Sequence, residues 1–371
     1  MKKIIVLLFA LAISILCYSQ TSQEYFDKGN SKIQLKDYKS AITDYTKAIE
    51  INSKNEFAYY KIGLAKAYLK DYSGAILDYN KSIEISPIYF SVFYERGYAK
   101  YKLKNFKDAI LDYTKAIEIN SNVANIFYER GLAKYHLLDY FNAIDDYSKA
   151  IKINPKFEKA FYNRGLAKYY LLDYNGAIDD YNKAIEINPK YEEAFNNRGL
   201  VKYNFKDYNS AIDDYNKAIE IDPKYMIAFN NRGLAKVDLK NYNSAIDDYT
   251  KAIEIDSKFE KAFYNRGLAK YYLQDYLGAI DDYNKAIELN SRFDNAFYER
   301  GFAKNSLKDY LGAIDDYNKA IEINPKYAFA FNKRGIAKID INQKESGCSD
   351  IKKAIELGST LAKENFKKYC N

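Results

Sequence analysis

The sequence predicts an all-α solenoid made from one small unit repeated ten times. Three observations carry this. Glycines stand at 29, 63, 97, 131, 165, 199, 233, 267, 301 and 335, always 34 residues apart. With each glycine set as repeat position 8, ten units run from Ser22 to Leu361 without insertion or deletion. Within each unit the apolar residues follow helical spacing twice, with a break between. A fixed period of this size signals stacked units, and it overrides the two or three globular domains that 371 residues would otherwise suggest.

The chain opens differently. Met1-Lys2-Lys3 is a short basic stretch, and Ile4 to Cys17 is a run of 14 apolar or small residues. Fourteen helical residues span only about 21 Å, short of a hydrocarbon core of roughly 30 Å. Residues 1–19 therefore read as a secretory signal peptide, with Cys17 and Ser19 as small residues at −3 and −1 of the cleavage point. Leu16 before Cys17 argues against a lipoprotein site. The expected mature protein is exported (periplasmic, cell-surface or secreted), with no membrane span after cleavage.

The units occupy 22–55, 56–89, 90–123, 124–157, 158–191, 192–225, 226–259, 260–293, 294–327 and 328–361. The fifth illustrates the pattern. Ala160, Phe161, Leu166, Tyr170 and Leu171 mark the buried face of a first helix. Leu172-Asp173-Tyr174 interrupts it, with Asp173 the expected N-cap of a second helix. Ala177, Ile178, Tyr181, Ala184, Ile185 and Ile187 mark that helix's buried face. Asn188-Pro189 ends it, with Asn188 expected to cap the following helix. The tenth unit is degenerate, and residues 361–371 read as an amphipathic helix capping the last repeat.

These residues resemble the tetratricopeptide repeat (TPR). The pattern is glycine at position 8, alanine at 20 and 27, an aromatic at 24 and proline at 32. The glycine recurs in all ten units, and Tyr holds position 24 in nine. The proline is weaker, appearing in five units. Position 4 carries Tyr25, Tyr59 and then Phe in every unit from Phe93 to Phe331. Small residues at 8, 20 and 27 let paired helices approach, while bulky groups at 4 and 24 fill the remaining space. The resemblance spans 22–361. It implies a right-handed TPR superhelix of ten helix-turn-helix repeats with a C-terminal cap.

Three charged positions depart from the family. Lys fills position 11 and Asp position 23 in all ten units, and Arg fills position 7 in the last eight. The family usually places Leu at 7 and Tyr at 11, facing the partner helix. Cations there need compensation, so the pattern predicts a ladder of Arg/Lys–Asp pairs along the array. Cations matched to acids do not form a phosphate-binding stripe, so no nucleic-acid partner is expected despite a net charge of +7.

The resemblance also implies that positions 2, 5, 6, 9, 12 and 13 of the first helices line a concave groove. Candidate partner-binding residues follow: Tyr128, Tyr162, Asn196, Asn230 and Tyr264 at position 5; Asn163, Asn197, Asn231 and Asn265 at position 6; Tyr169, Tyr203 and Tyr271 at position 12. Tyr gives a large amphipathic surface, and a ladder of Asn can hold an extended peptide backbone. An equal reading makes the position-6 asparagines framework residues of the repeat. The carboxylate clamp of some TPR domains needs Lys and Asn at positions 5 and 9. Position 9 here is mostly Leu, as at Leu64, Leu132 and Leu166, so that clamp is absent.

No Walker loop, metal-ligand spacing or nucleophile elbow occurs, and a single His argues against multi-histidine chemistry. The lone His136 is expected on the groove or the surface. Pairs such as Asp179-Asp180 recur in six units and fit a solvated or ladder role better than an acid/base dyad. No enzyme activity and no cofactor are expected. Cys348 and Cys370, 22 residues apart, either form a disulfide pinning the cap or remain free thiols. The expected function is a non-enzymatic protein–protein interaction scaffold in cell-envelope assembly or processing. The alternative is a carbohydrate or cell-wall binding protein. The 40 Tyr divide accordingly: 23 at packing or connector positions 4, 17, 24 and 34, and 15 at groove positions 5, 9, 12 and 13.

Overall fold

A computed structural model describes residues 21–370. The expected signal peptide lies outside them. The fold is all-α: the described residues form helices and turns, with no strand among them. The chain divides into two compact units, one ending at Pro189 and the other beginning at Lys190.

In the first unit, residues 21–34 are helical. The later first helices of its repeats are Glu56–Tyr68, Phe90–Lys102, Ala124–His136 and Glu158–Tyr170. The second helices are Tyr38–Ile51, Tyr72–Ile85, Phe106–Ile119, Tyr140–Ile153 and Tyr174–Ile187. The second unit repeats the pattern with first helices Glu192–Asn204, Met226–Asp238, Glu260–Tyr272, Asp294–Ser306 and Ala328–Asp340. Its second helices are Tyr208–Ile221, Tyr242–Ile255, Tyr276–Leu289, Tyr310–Ile323 and Lys344–Glu356, and Thr360–Tyr369 follows as a terminal helix.

Each hairpin closes around one contact. A Cβ on Gly131 would stand 2.7 Å from Cε1 of Tyr147, and the other position-8 glycines up to Gly301 meet their own position-24 tyrosine in the same way. The ring lies against the glycine, so only hydrogen fits there. Ala143, Tyr147 and Ala150 are fully buried, and Ala143 and Tyr147 cluster with Ala167 of the next repeat. One second helix thus seals two hairpins, its own and the following one.

Asp173 caps its helix as expected, accepting from the Gly176 N–H at 3.0 Å. Asn188 does not cap its successor. It is the C-cap of its own helix, and the helix beginning at Glu192 has Tyr191 at its N-cap with no side-chain cap bond. Between the helices of each repeat, position 15 adopts the left-handed conformation. It is never glycine; Leu138 and Leu172 both have φ 63°. The Asp173 N–H bonds the Lys168 carbonyl at 2.9 Å and the Leu172 N–H the Tyr169 carbonyl at 3.0 Å, which closes the first helix.

The charge ladder is present. Every position-23 carboxylate from Asp44 to Asp350 meets its position-11 lysine at 2.5–2.8 Å. In the last eight repeats the position-7 arginine grips the same carboxylate at 2.5–2.7 Å. The guanidinium also reaches the preceding repeat, as in Arg130 Nη1 to Thr114 Oγ1 at 3.0 Å, and it lies over a position-4 ring, 5.7 Å from the centre of Phe127. The Asp-Asp pairs therefore divide. Asp146 is buried in the ladder, whereas Asp145 is exposed and pairs with Lys149 at 2.6 Å.

The terminal helix packs Ala362 and Phe366 against Ile351 and Ala354. A disulfide joins Cys348 to Cys370, with Cα atoms 5.7 Å apart.

Candidate functional site on the first-helix faces

Within each unit, first helices of successive repeats touch one another, and the second helices have no comparable contacts among themselves. Each unit is thus drawn in on its first-helix side, where positions 5, 6, 9, 12 and 13 lie. The chemistry of that face splits into a part used by the framework and a part left over.

The asparagines belong largely to the framework. Asn231 Nδ2 donates to Asn196 Oδ1 at 3.0 Å, and Asn265 Nδ2 donates to Asn230 Oδ1 at 2.9 Å. Asn196 also donates to Asn197 Oδ1 at 3.1 Å. Asn196 and Asn230 are buried, at 3% and 7% exposure. In the first unit Asn163 donates to Tyr128 Oη at 3.1 Å, in the same register of 35 residues. The terminal helix continues the pattern: Asn365 Nδ2 donates to Asn332 Oδ1 at 3.1 Å. An asparagine ladder exists, but these amides bond repeat to repeat. A buried amide needs a partner, and the next repeat's amide supplies it. Asn196 and Asn230 thus offer little open surface to a ligand.

The position-5 tyrosines are half framework. Tyr128 packs on the buried Tyr147 (centroids 6.0 Å) and on Phe157 (4.8 Å). Tyr264 does the same with Tyr283 and Phe293 at 6.0 and 4.9 Å, and Tyr162 leans on Tyr181 at 6.0 Å. The position-12 tyrosines lean on position 17 of their own repeat: Tyr169 on Tyr174 (5.5 Å), Tyr203 on Tyr208 (5.4 Å) and Tyr271 on Tyr276 (5.2 Å). Several position-12 hydroxyls cross to position 13 of the next repeat. Tyr203 donates to Asp238 at 2.5 Å, Tyr271 meets Ser306 at 3.0 Å, and Tyr101 meets His136 Nε2 at 2.8 Å. His136 is a framework member too, stacked on Phe106 at 4.8 Å, and burial lowers its pKa.

Two sets of groups are left over. Tyr68, Tyr170 and Tyr272 at position 13 stack on Tyr38, Tyr140 and Tyr242, yet remain 52–62% exposed. Three glutamates to which the repeat pattern did not point, Glu95, Glu129 and Glu299, take position 6 in repeats three, four and nine. Burial pushes all three carboxyls up to about 7, and Glu129 adds to the rise at Glu95. Lys333, one repeat beyond Glu299, offsets part of the rise there while its Nζ lies 4.2 Å from the centre of the Phe302 ring. The available signal was the change from Asn to Glu at an inward position outside the register of the cation ladder.

Among the described residues, no group of three or more His, Cys, Asp and Glu could hold a metal ion. No helix among them is long and apolar enough to cross a membrane.

Known proteins share this repeat. Tetratricopeptide repeat models match residues 90–123, 192–225, 227–259, 260–293 and 295–327, with a further match at 58–89. A TPR repeat model matches 29–70, 139–171 and 173–204. No curated protein matches the sequence. Among solved structures, a tetratricopeptide repeat protein from Parabacteroides merdae is similar at TM-score 0.54 and 22% identity, covering 67% of this chain and 99% of that one. PilF of Pseudomonas aeruginosa is similar at TM-score 0.52 and 19% identity, covering 57% and 96%. The APC/C hetero-tetramer Cut9–Hcn1 gives TM-score 0.52 at 12% identity, covering 92% and 95%. At such identities the structures speak for the fold alone, and the repeat models speak for the family. Glycine packs against tyrosine in each hairpin up to Gly301, the hairpins recur every 34 residues, and the repeat models cover most of the array; the chain belongs to the tetratricopeptide repeat family.

Proposed function

We propose that this protein is an exported, non-enzymatic scaffold that binds an extended polypeptide along its first-helix faces during cell-envelope assembly or processing. The TPR fold is a generic protein–protein interaction scaffold, which supports the broad reading. The observation that carries the finer one is the leftover chemistry of the face. The ladder and the asparagines consume their own polar groups. The open rings of Tyr68 and Tyr170 and the half-buried carboxylates of Glu95 and Glu129 are not consumed in this way. Amphipathic rings beside charges that stand outside the ion-pair ladder suit a peptide, which offers backbone, apolar and charged groups at short intervals.

The test is capture from envelope extract by the immobilised protein, followed by mass spectrometry, with Tyr68→Ser/Tyr170→Ser as the comparison. Enrichment of one or a few polypeptides that is lost in the double variant is the expected result. A second reading is favoured by the same exposed rings, since flat aromatic faces also stack on sugars. A glycan array separates the two: glycan binding without polypeptide enrichment would replace the scaffold reading.

A further inference from the structure

A cavity of about 450 Å³ opens between the first helices of repeats two and three, Glu56–Tyr68 and Phe90–Lys102. Its walls include four tyrosines, Tyr68, Tyr72, Tyr94 and Tyr98. One carboxylate lines it, that of Glu95, and one cation borders it, Lys70 in the exposed turn after the first helix. The volume falls in the range of small-ligand clefts, roughly 300–1,000 Å³.

The charge balance inside is uneven. Elsewhere in this unit, acids between the helices of a hairpin sit against a lysine, or against both arginine and lysine, as Asp112 does with Arg96 and Lys100 at 2.5 and 2.8 Å. Among the described residues no ion pair or hydrogen bond reaches Glu95, and the charged neighbour that acts on it is another acid, Glu129. Burial and that neighbour together raise its pKa to about 7, as expected of a carboxylate lacking a counter-ion. A half-desolvated, uncompensated anion is costly, and an incoming cation relieves that cost. The surrounding rings add to the attraction, because a tyrosine face is the negative end of its quadrupole. One of these rings already takes a cation: Lys102 Nζ lies 4.8 Å from the centre of Tyr98.

We propose that the Glu95 cavity receives the lysine or arginine side chain of a bound, extended peptide. The assignment rests on the polypeptide reading of the face and narrows it to segments bearing a basic residue. Glu129, at the same position one repeat on, supplies a second anionic point along the face. Acidic segments are disfavoured by the same two carboxylates.

The experiment uses the full mature chain and degenerate peptides with one fixed central residue: lysine, arginine, norleucine or glutamate. Retention on the immobilised protein is read for the wild type and for Glu95→Gln, with helix content checked by circular dichroism. Glu95→Lys serves as the second variant, since it reverses the charge. The wild type is expected to enrich lysine and arginine peptides over norleucine ones by about tenfold, a difference of roughly 1.4 kcal/mol. Glu95→Gln should abolish the preference, and Glu95→Lys should invert it in favour of glutamate. Equal retention of basic and norleucine peptides, or a basic preference that survives Glu95→Gln, overturns the cavity assignment and leaves the polypeptide reading standing. Failure of every peptide class to bind overturns both.

Discussion

Arg130 and Asp146 form a two-point contact, Nη2 to Oδ1 at 2.7 Å and Nε to Oδ2 at 2.9 Å, across the two helices of one hairpin. Lys134 closes on Oδ2 at 2.6 Å, and the free arm of Arg130 reaches Thr114 of the preceding repeat at 3.0 Å. Through Arg130, one fully buried carboxylate therefore ties three helices together. Removing it leaves two cations, at 13% and 16% exposure, without their acid. Breaking one side of a buried pair typically costs about 3–5 kcal/mol. Asp146→Ala should lower the stability read from denaturant unfolding by an amount in that range. Because a repeat array couples only neighbours, hydrogen exchange should rise first in repeats three to five. A change below about 1 kcal/mol, the level of an exposed pair, would show the ladder to be surface decoration.

Leu172 gives a prediction of the opposite sign. Its left-handed backbone costs a β-carbon-bearing residue roughly 1 kcal/mol, and its side chain is 70% exposed, so little burial is lost with it. Leu172→Gly should stabilise the fifth repeat by a few tenths of a kcal/mol, after the roughly 0.5–1 kcal/mol for the extra flexibility of unfolded glycine is deducted. Thermal melts of the single variant and of Leu138→Gly/Leu172→Gly should show increments of the same sign. A drop in either would mean that the leucine side chain makes contacts worth more than the backbone relief.

The repeat itself was legible in the sequence because its determinants are local and periodic. Gly131 and Tyr147 stand 16 residues apart in one unit, and the same spacing recurs across the array. Asp173 announced its helix by residue type. The turn before it did not, since a left-handed leucine follows no residue preference and is imposed by the packed helices on either side. The face was harder to read for a different reason. Whether Asn196 meets a ligand or Asn231 depends on how closely consecutive first helices approach, and that is set by contacts 35 residues away. Glu95 stands out in the sequence only as a Glu at an inward position; its significance is a missing partner, and spacing within a repeat does not reveal one.

Asn230 tests the framework role directly. Its carbonyl accepts from Asn265 at 2.9 Å, and its amide faces Asn231 Oδ1 at 3.5 Å. Asn230→Ala strands the Asn265 amide in a half-buried site, which costs about 1–3 kcal/mol. The variant should be destabilised by that amount yet retain polypeptide capture when assayed well below its melting temperature. Loss of capture with unchanged stability would return Asn230 to the binding face.

The glutamates make stability depend on pH. Glu95 and Glu129 have folded values raised to about 7 from an ordinary 4.5, mainly by burial; Lys102 and Lys159 moderate the rise at Glu129. The native state thus holds more protons than the unfolded state between about pH 4.5 and 7, and its stability falls as pH rises through that window. The wild type should lose melting temperature from pH 5 to pH 8 apart from other titrations, and Glu95→Gln/Glu129→Gln should lose less. The difference between the two slopes is the measurement. Identical slopes would mean that both carboxyls titrate as solvated groups.

The helix Thr360–Tyr369 packs on the tenth repeat. Cys370 ties the terminal helix to Cys348 on the last repeat, and Asn365, Ala362 and Phe366 hold the same helix by a hydrogen bond and apolar contacts. A crosslink spanning 22 residues restricts the unfolded chain by about 3 kcal/mol in the chain-entropy account. Reduction, or Cys348→Ser/Cys370→Ser, should leave the helix attached but exchanging its amides faster over 360–369, with the effect fading into the ninth repeat. The first unit should exchange as before. A thiol count on protein isolated without reductant decides whether the pair is closed in the cell. Structural disulfides persist in oxidising compartments, so blocked Cys348 and Cys370 would support export. Two free thiols in protein taken from its native compartment would count against both the crosslink and the proposed location.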